Sequence, residues 1–160
     1  MQKEEKIKEE LLGRFDFLVN KINIPRIRRI SVEVEHKNFK EVFEYLINKL
    51  GFSALCTITG LDNLDTFGAI YHLSIPESGI VVNLRTIIDR NNPIVESVMD
   101  YFKGAEIYER ELEDMFGMKI QGLKPGNRYP LPDDWPQGEY PLRKDWKNKE
   151  DSKPGGEENA

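Results

Sequence analysis

Cysteine is nearly absent: the 160-residue chain holds one, Cys56. A single thiol excludes an internal disulfide and the four-thiolate set that commonly holds an iron–sulfur centre. It is compatible with a reducing cytoplasm, and Cys56 reads as a small core residue. Histidine is almost as scarce, with only His36 and His72. Even with Cys56 they give no zinc-ligand spacing. No Gly-x-Gly-x-x-Gly or Gly-Lys-Ser/Thr occurs, so a nucleotide or flavin site is not expected. No apolar run approaches the roughly 20 residues a membrane helix needs, so other proteins must supply any membrane attachment. The first ten residues carry charge along their length, and no leader peptide is expected. A net charge of −5 argues against nucleic acid as a partner. Catalytic, metal and cofactor sites are all expected to be missing from this chain.

What is present suits one folded domain of roughly 120 residues plus tails. Charged residues make up 32% of the chain, mostly Lys and Glu, a balance common in thermophile proteins. Lys3 to Asn20 reads as an amphipathic helix with Ile7, Leu11, Phe15 and Leu18 as its apolar stripe. Pro25 breaks the chain. Arg26, Arg28 and Arg29 then lead into a period-two strand with Ile30, Val32 and Val34 inward. Asn38 and Glu41 have the spacing of a helix cap with its reciprocal glutamate. The helix that follows carries Phe39, Val42, Phe43, Leu46, Ile47 and Leu50, and Gly51 stops it. Three strand-like runs, 53–61, 66–75 and 80–87, are joined by short turns and must therefore pair antiparallel. Asn92 and Pro93 predict a short helix with Ile94, Val95, Val98, Met99 and Phe102 on its buried side. His72 falls on the less buried face of its strand, as an ordinary hydrogen-bonded histidine.

The chain is organised around Gly104 to Trp146. Ala105, Tyr108, Leu112, Met115 and Phe116 share one face of a helix preceded by Gly104 and ended by Gly117. Glu106, Arg110 and Asp114 sit four apart, as a salt-bridge ladder. Glu109 borders the apolar face, where a carboxylate needs a cation or hydrogen-bond donors close by. Beyond the helix, Pro125, Pro130, Pro132, Pro136 and Pro141 exclude helix and central strand. Tyr129, Trp135, Tyr140 and Trp146 are interleaved with them, as anchors for lying on a protein surface. Such a segment is expected to take its order from a partner, with Arg143, Lys144 and Asp145 pairing either with that partner or with Glu109 and Glu113.

Four blocks in this stretch carry a resemblance. They are Glu109-Arg110-Glu111, Asp114-Met115-Phe116-Gly117, Leu131-Pro132-x-Asp134-Trp135 and Pro141-Leu142-Arg143-Lys144-Asp145. In that order they resemble the thirty-kilodalton subunit family of respiratory NADH dehydrogenase (complex I), also found in energy-converting, membrane-bound nickel–iron hydrogenase-type complexes. One departure is plain: Gly122-Leu123-Lys124-Pro125 stands where the family usually has Gly-His-Pro-Asp. The resemblance implies a non-catalytic assembly subunit that docks on the hydrogenase-like large subunit and supports electron transfer coupled to ion translocation. The interface residues would be Glu109, Arg110, Glu111, Asp114, Phe116, Tyr129, Trp135, Tyr140, Arg143, Lys144, Asp145 and Trp146. Neighbouring subunits would carry the iron–sulfur clusters, and the chain would sit peripherally on the cytoplasmic side of the cell membrane. Length and Lys/Glu content favour a ferredoxin-linked hydrogenase-type complex over an NADH:quinone type. The competing reading is a free-standing small enzyme using the carboxylates of the Glu109–Asp114 helix.

The expected fold is α+β. An antiparallel sheet has helices packed on one face, and a long extended proline-rich C-terminal tail follows. Residues 1–117 would form the domain, 118–146 an extended clasp and 147–160 a disordered end.

Overall fold

Alternation builds the sheet. Along β5 (Ile80–Asp89), Ile80, Val82, Leu84, Thr86 and Ile88 are buried. Half-buried residues stand between them, the pattern of a strand covered on one side. The computed structural model describes residues 2–126 and 128–147. In chain order it contains α1 (Gln2–Arg14), a short 3-10 turn (Asp16–Leu18), β1 (Ile22–Arg26), β2 (Arg29–Glu35) and α2 (His36–Asn48). Then come β3 (Ala54–Asp62), β4 (Thr66–Ile75), β5, β6 (Ile94–Glu96), α3 (Ala105–Phe116) and β7 (Lys119–Gln121).

The main sheet runs β1-β2-β5-β4-β3, and β6 pairs with β7 in a separate two-stranded sheet. The helices cover one face. Phe39 and Phe43 of α2 pack on Tyr71, and Phe116 of α3 packs edge-on against Phe67, on the same inner row of β4. Phe15, just past α1, meets Tyr45 of α2. Gly60 of β3 gives α3 room, since a Cβ there would collide with Phe116. On the opposite face His72 lies between Asn83 and Thr59, with ring nitrogens 2.8 and 3.1 Å from their side-chain oxygens. It is the ordinary satisfied histidine expected.

Several expectations hold. The antiparallel β3-β4-β5 meander, the inward Ile30, Val32 and Val34, and the buried Ile7, Leu11, Phe15 and Leu18 are all present. Gly51 ends the α2 region with a φ of +76°. Others are corrected. The sheet is mixed, because β2 and β5 run parallel. The long connection through α2 returns the chain at the far edge, and the meander then brings β5 back beside β2. The first helix stops at Arg14, and the 3-10 turn carries Leu18 into the core. Pro25 lies within edge strand β1 rather than breaking the chain. The second helix starts at His36 with no side-chain cap, so Asn38 lies inside it. Residues 94–96 form a strand, not a helix, because Lys119–Gln121 offers them a parallel partner. Cys56 is exposed, since a register shift between Leu55 and Thr57 takes it out of the alternation.

Candidate functional site: helix α3 and the segment it holds

The site begins with the local chemistry of α3. Gly117 takes a φ of +69°, which releases the chain from the helix, and its N–H bonds to Glu113 O at 2.9 Å. Met118 N–H reaches back to Leu112 O at 3.3 Å. Together these close the helix end as a left-handed glycine cap. Ala105, Leu112 and Phe116 are buried, with Tyr108 and Met115 packed partly against the core, as the spacing predicts.

Glu109 is buried on this same face, at 0% exposure. It has no cation. Its carboxylate instead accepts the Val98 N–H at 2.6 Å and the Ser97 hydroxyl at 2.7 Å. Of the two expected alternatives, a cation or hydrogen-bond donors, the donors are present, from the turn after β6, and they satisfy the buried oxygens. Burial pushes its carboxyl above the usual range, against the pull of those two bonds. Neighbouring Glu113 is also pushed up by burial, opposed by the Ile120 backbone donor and by Arg110.

The outer side of α3 grips the proline-rich segment, mostly by its main chain. Arg110 bridges Glu106 Oε1 and Lys124 O, with its Nη2 at 2.9 and 2.8 Å. Gly126 passes so near the guanidinium that a Cβ would collide with it. Asp114 leaves the expected ladder and accepts the Tyr129 N–H at 2.8 Å. Met115 O accepts the Leu142 N–H at 3.2 Å, and Phe116 O accepts Arg143 Nε at 2.7 Å. Glu111 lies half-buried on the same helix. Within the segment Trp135 packs on Trp146, with ring centroids 6.0 Å apart. Trp135 Nε1 donates to Glu139 O at 2.9 Å, and Arg128 to Trp135 O at 2.7 Å. The segment thus makes contacts to its own domain that were expected from a partner. Residues 148–160, expected as a disordered end, lie outside the described residues.

A second cluster completes the site. Arg143, Lys144 and Asp145 contact neither Glu109 nor Glu113 as hydrogen-bond or ion-pair partners. They meet Asp62, Arg90, Phe67 and Phe116 instead. Asp62 is buried and accepts the Lys144 N–H at 2.9 Å, the Leu64 N–H at 2.8 Å and Arg90 Nη1 at 2.6 Å. Arg90 also pairs with Asp145 at 3.0 Å. The Arg90 and Arg143 guanidiniums lie 4.5 and 5.0 Å from the Phe67 ring centre, and Arg143 also covers Tyr140 at 4.3 Å. Burial alone would raise the Asp62 carboxyl. The donors from Lys144, Arg90 and Leu64 overcome it and hold the group below the usual range. Sequence reasoning missed Asp62 and Arg90 as site residues. The available signal was an acid at the strand end, opposite an otherwise unassigned arginine.

Chemically, the arrangement binds backbone. Its carboxylates are engaged by main-chain N–H groups, a serine hydroxyl and two arginines. Among the described residues no group of three or more His, Cys, Asp or Glu is placed to hold a metal ion. Also among them, no helix is long and apolar enough to cross a membrane.

Fold and site together define a small α+β domain whose signature helix secures a proline-rich segment on its own surface. The chain belongs to the family described as "Respiratory-chain NADH dehydrogenase, 30 Kd subunit", whose profile matches residues 32–152. It is 34% identical over 134 residues to the C subunit of the F(420)H(2) dehydrogenase of Methanosarcina mazei, covering 80% of this chain and 85% of that one. It is 41% identical over 84 residues to the C/D subunit of the NADH-quinone oxidoreductase of Phocaeicola vulgatus. There the match covers 51% of this chain but only 16% of the relative. A solved chain of the membrane-bound sulfane sulfur reductase, an archaeal respiratory membrane complex, superposes with a TM-score of 0.79 at 26% identity. That match covers 89% of this chain and 85% of the other. The family resemblance drawn from the four blocks is borne out.

Proposed function

We propose that the chain is a non-catalytic assembly subunit of a membrane-bound respiratory oxidoreductase complex. It docks on a hydrogenase-like large subunit and supports electron transfer coupled to ion translocation. The iron–sulfur clusters belong to neighbouring subunits, and this chain holds no metal or flavin. It sits peripherally on the cytoplasmic side of the membrane, held there by other subunits.

One observation carries this reading: four charged groups of the signature are engaged with backbone. Arg110, Asp114 and Arg143 tie the proline-rich segment to α3, and Glu109 ties α3 to the turn after β6, so the block builds a surface. A carboxylate working as acid or base must reach the proton it moves. Here Glu109, the buried acid of the competing enzyme reading, is committed to Val98 and Ser97. The relatives support a subunit role. In the C/D relative the matching region is one part of a much longer chain, and covalent fusion keeps two docked units at high effective concentration.

Affinity purification from native membranes tests the proposal. A tagged full-length chain is expected to bring down a hydrogenase-like large subunit and iron–sulfur subunits in stoichiometric amounts. A chain that purifies alone from intact membranes would overturn it.

A further inference from the structure

We propose that Asp62 and Arg90 seat the far end of the proline-rich segment, so that the segment is tied at both ends and preset for docking. The docking itself rests on the assembly reading above; the closure does not.

The near end is held at α3, through Lys124 O on Arg110 and the Tyr129 N–H on Asp114. The far end is held by three adjacent residues. Arg143 donates to Phe116 O, the Lys144 N–H donates to Asp62, and Asp145 pairs with Arg90. Arg90 bridges Asp62 and Asp145, and its side chain is only 18% exposed. A guanidinium bonded to two carboxylates in a fixed fork is a stronger tie than an exposed ion pair. Asp62 is the pivot, because each oxygen already carries a donor and the group has little water to fall back on.

Backbone capture has a consequence for the side chains. Tyr129 and Leu142 give their N–H groups to the domain and keep their side chains outside, at 52% and 51% exposure. Trp135 turns inward on Trp146. The loop therefore leaves a tyrosine and a leucine side chain exposed on a fixed frame, where the large subunit of the assembly reading would meet them. A closed loop has fewer free conformations to lose, which lowers the ordering cost of association. Asp62 and Arg90 are positioning residues: they act on the partner through the loop.

Hydrogen exchange of the full-length chain, alone and with purified large subunit, tests this. In the isolated wild type, the amides of Leu142, Arg143 and Lys144 are expected to exchange far more slowly than in a free peptide of the same sequence. Asp62→Asn should speed them about tenfold, the effect of losing roughly one charge-assisted bond. Asp145→Ala should do so to a similar or smaller degree, and its exposed side chain leaves the core intact. The β4 and β5 amides should not change in Asp145→Ala, and in Asp62→Asn they should speed only by the factor that its global loss of stability gives. Peptide-like exchange at these amides in the wild type, or unchanged protection in both variants, overturns the closed loop. With the partner, Asp145→Ala should bind about tenfold more weakly than wild type. Equal binding by wild type and variant overturns the preset role. Full protection with no binding by either chain leaves the closure standing and removes the docking reading instead.

Discussion

Glu109 Oε1 accepts the Val98 N–H at 2.6 Å, so the buried acid of the signature helix caps a turn eleven positions earlier. This makes the glutamate a structural tie between α3 and the strand β6 that pairs with β7. Replacing it with alanine leaves the Val98 N–H buried without an acceptor. The expected loss is about 1–3 kcal/mol of stability. No cation among the described residues is stranded, because none of them is paired with it.

Glutamine at position 109 separates hydrogen bonding from charge. Folding raises the Glu109 pKa, so the folded state prefers the protonated form. That contribution is complete below the unfolded carboxyl range near about 4.3, and is lost as pH rises through the folded value. Glu109→Gln should match wild type near the acid end and gain on it toward neutrality. Thermal melts of both chains across that range decide it. A gap that stays constant with pH would contradict the assignment.

Asp62 has the opposite sign. Its folded pKa is depressed, so its contribution is present above the unfolded value of about 3.9 and disappears as pH falls through the folded one. Asp62→Asn should lose about 1–3 kcal/mol at neutral pH. The difference from wild type should shrink on acidification. Denaturant titrations at neutral and acid pH measure it, and a pH-independent difference would count against the cluster.

Gly117 serves both the helix and the loop. Its φ of +69° strains any other residue, and a Cβ would collide with the Tyr140 ring and the Arg143 guanidinium. Gly117→Ala should lose about 1–2 kcal/mol from backbone strain alone. It should also open the loop to protease between Gly126 and Lys144. Gly104→Ala is the control, since nothing lies within 4 Å of a Cβ there. It should stay within about 0.5 kcal/mol of wild type. Equal behaviour of the two variants would refute the packing role of Gly117.

The proposed lack of a cofactor is checked by elemental analysis and an absorption spectrum of the purified chain. Neither should show a stoichiometric metal or flavin. One equivalent of zinc, nickel, iron or flavin would remove the non-catalytic assignment.

Much of this was legible in the sequence, for local reasons. The α3 helix declares itself through Ala105, Leu112 and Phe116 on one face and Gly117 at its end. Short turns force the β3-β4-β5 pairing. What escaped depends on distance along the chain. The Lys144–Asp62 bond spans 82 positions, and neither residue has a neighbour that announces it. The parallel β2–β5 pairing follows from where α2 delivers the chain, which periodicity does not encode. Residues 94–96 resembled a helix start because Pro93 suits one, yet their strand exists only through β7. Glu109 reads from its spacing as bordering the apolar face and is in fact buried on it, and Ser97 and Val98 carry no motif as its donors.

The most direct test of the assembly role is to coexpress the hydrogenase-like large subunit with two forms of this chain. One is full length; the other ends at Gln121 and keeps β7. Both should show a cooperative core melting transition, at a lower temperature in the shortened chain, which loses the Lys144 and Arg143 contacts to the core. The full-length chain should retain the large subunit in a one-to-one complex through gel filtration, and the shortened chain should elute without it. Retention of the large subunit by the shortened chain, or its loss from the full-length one, would contradict the account.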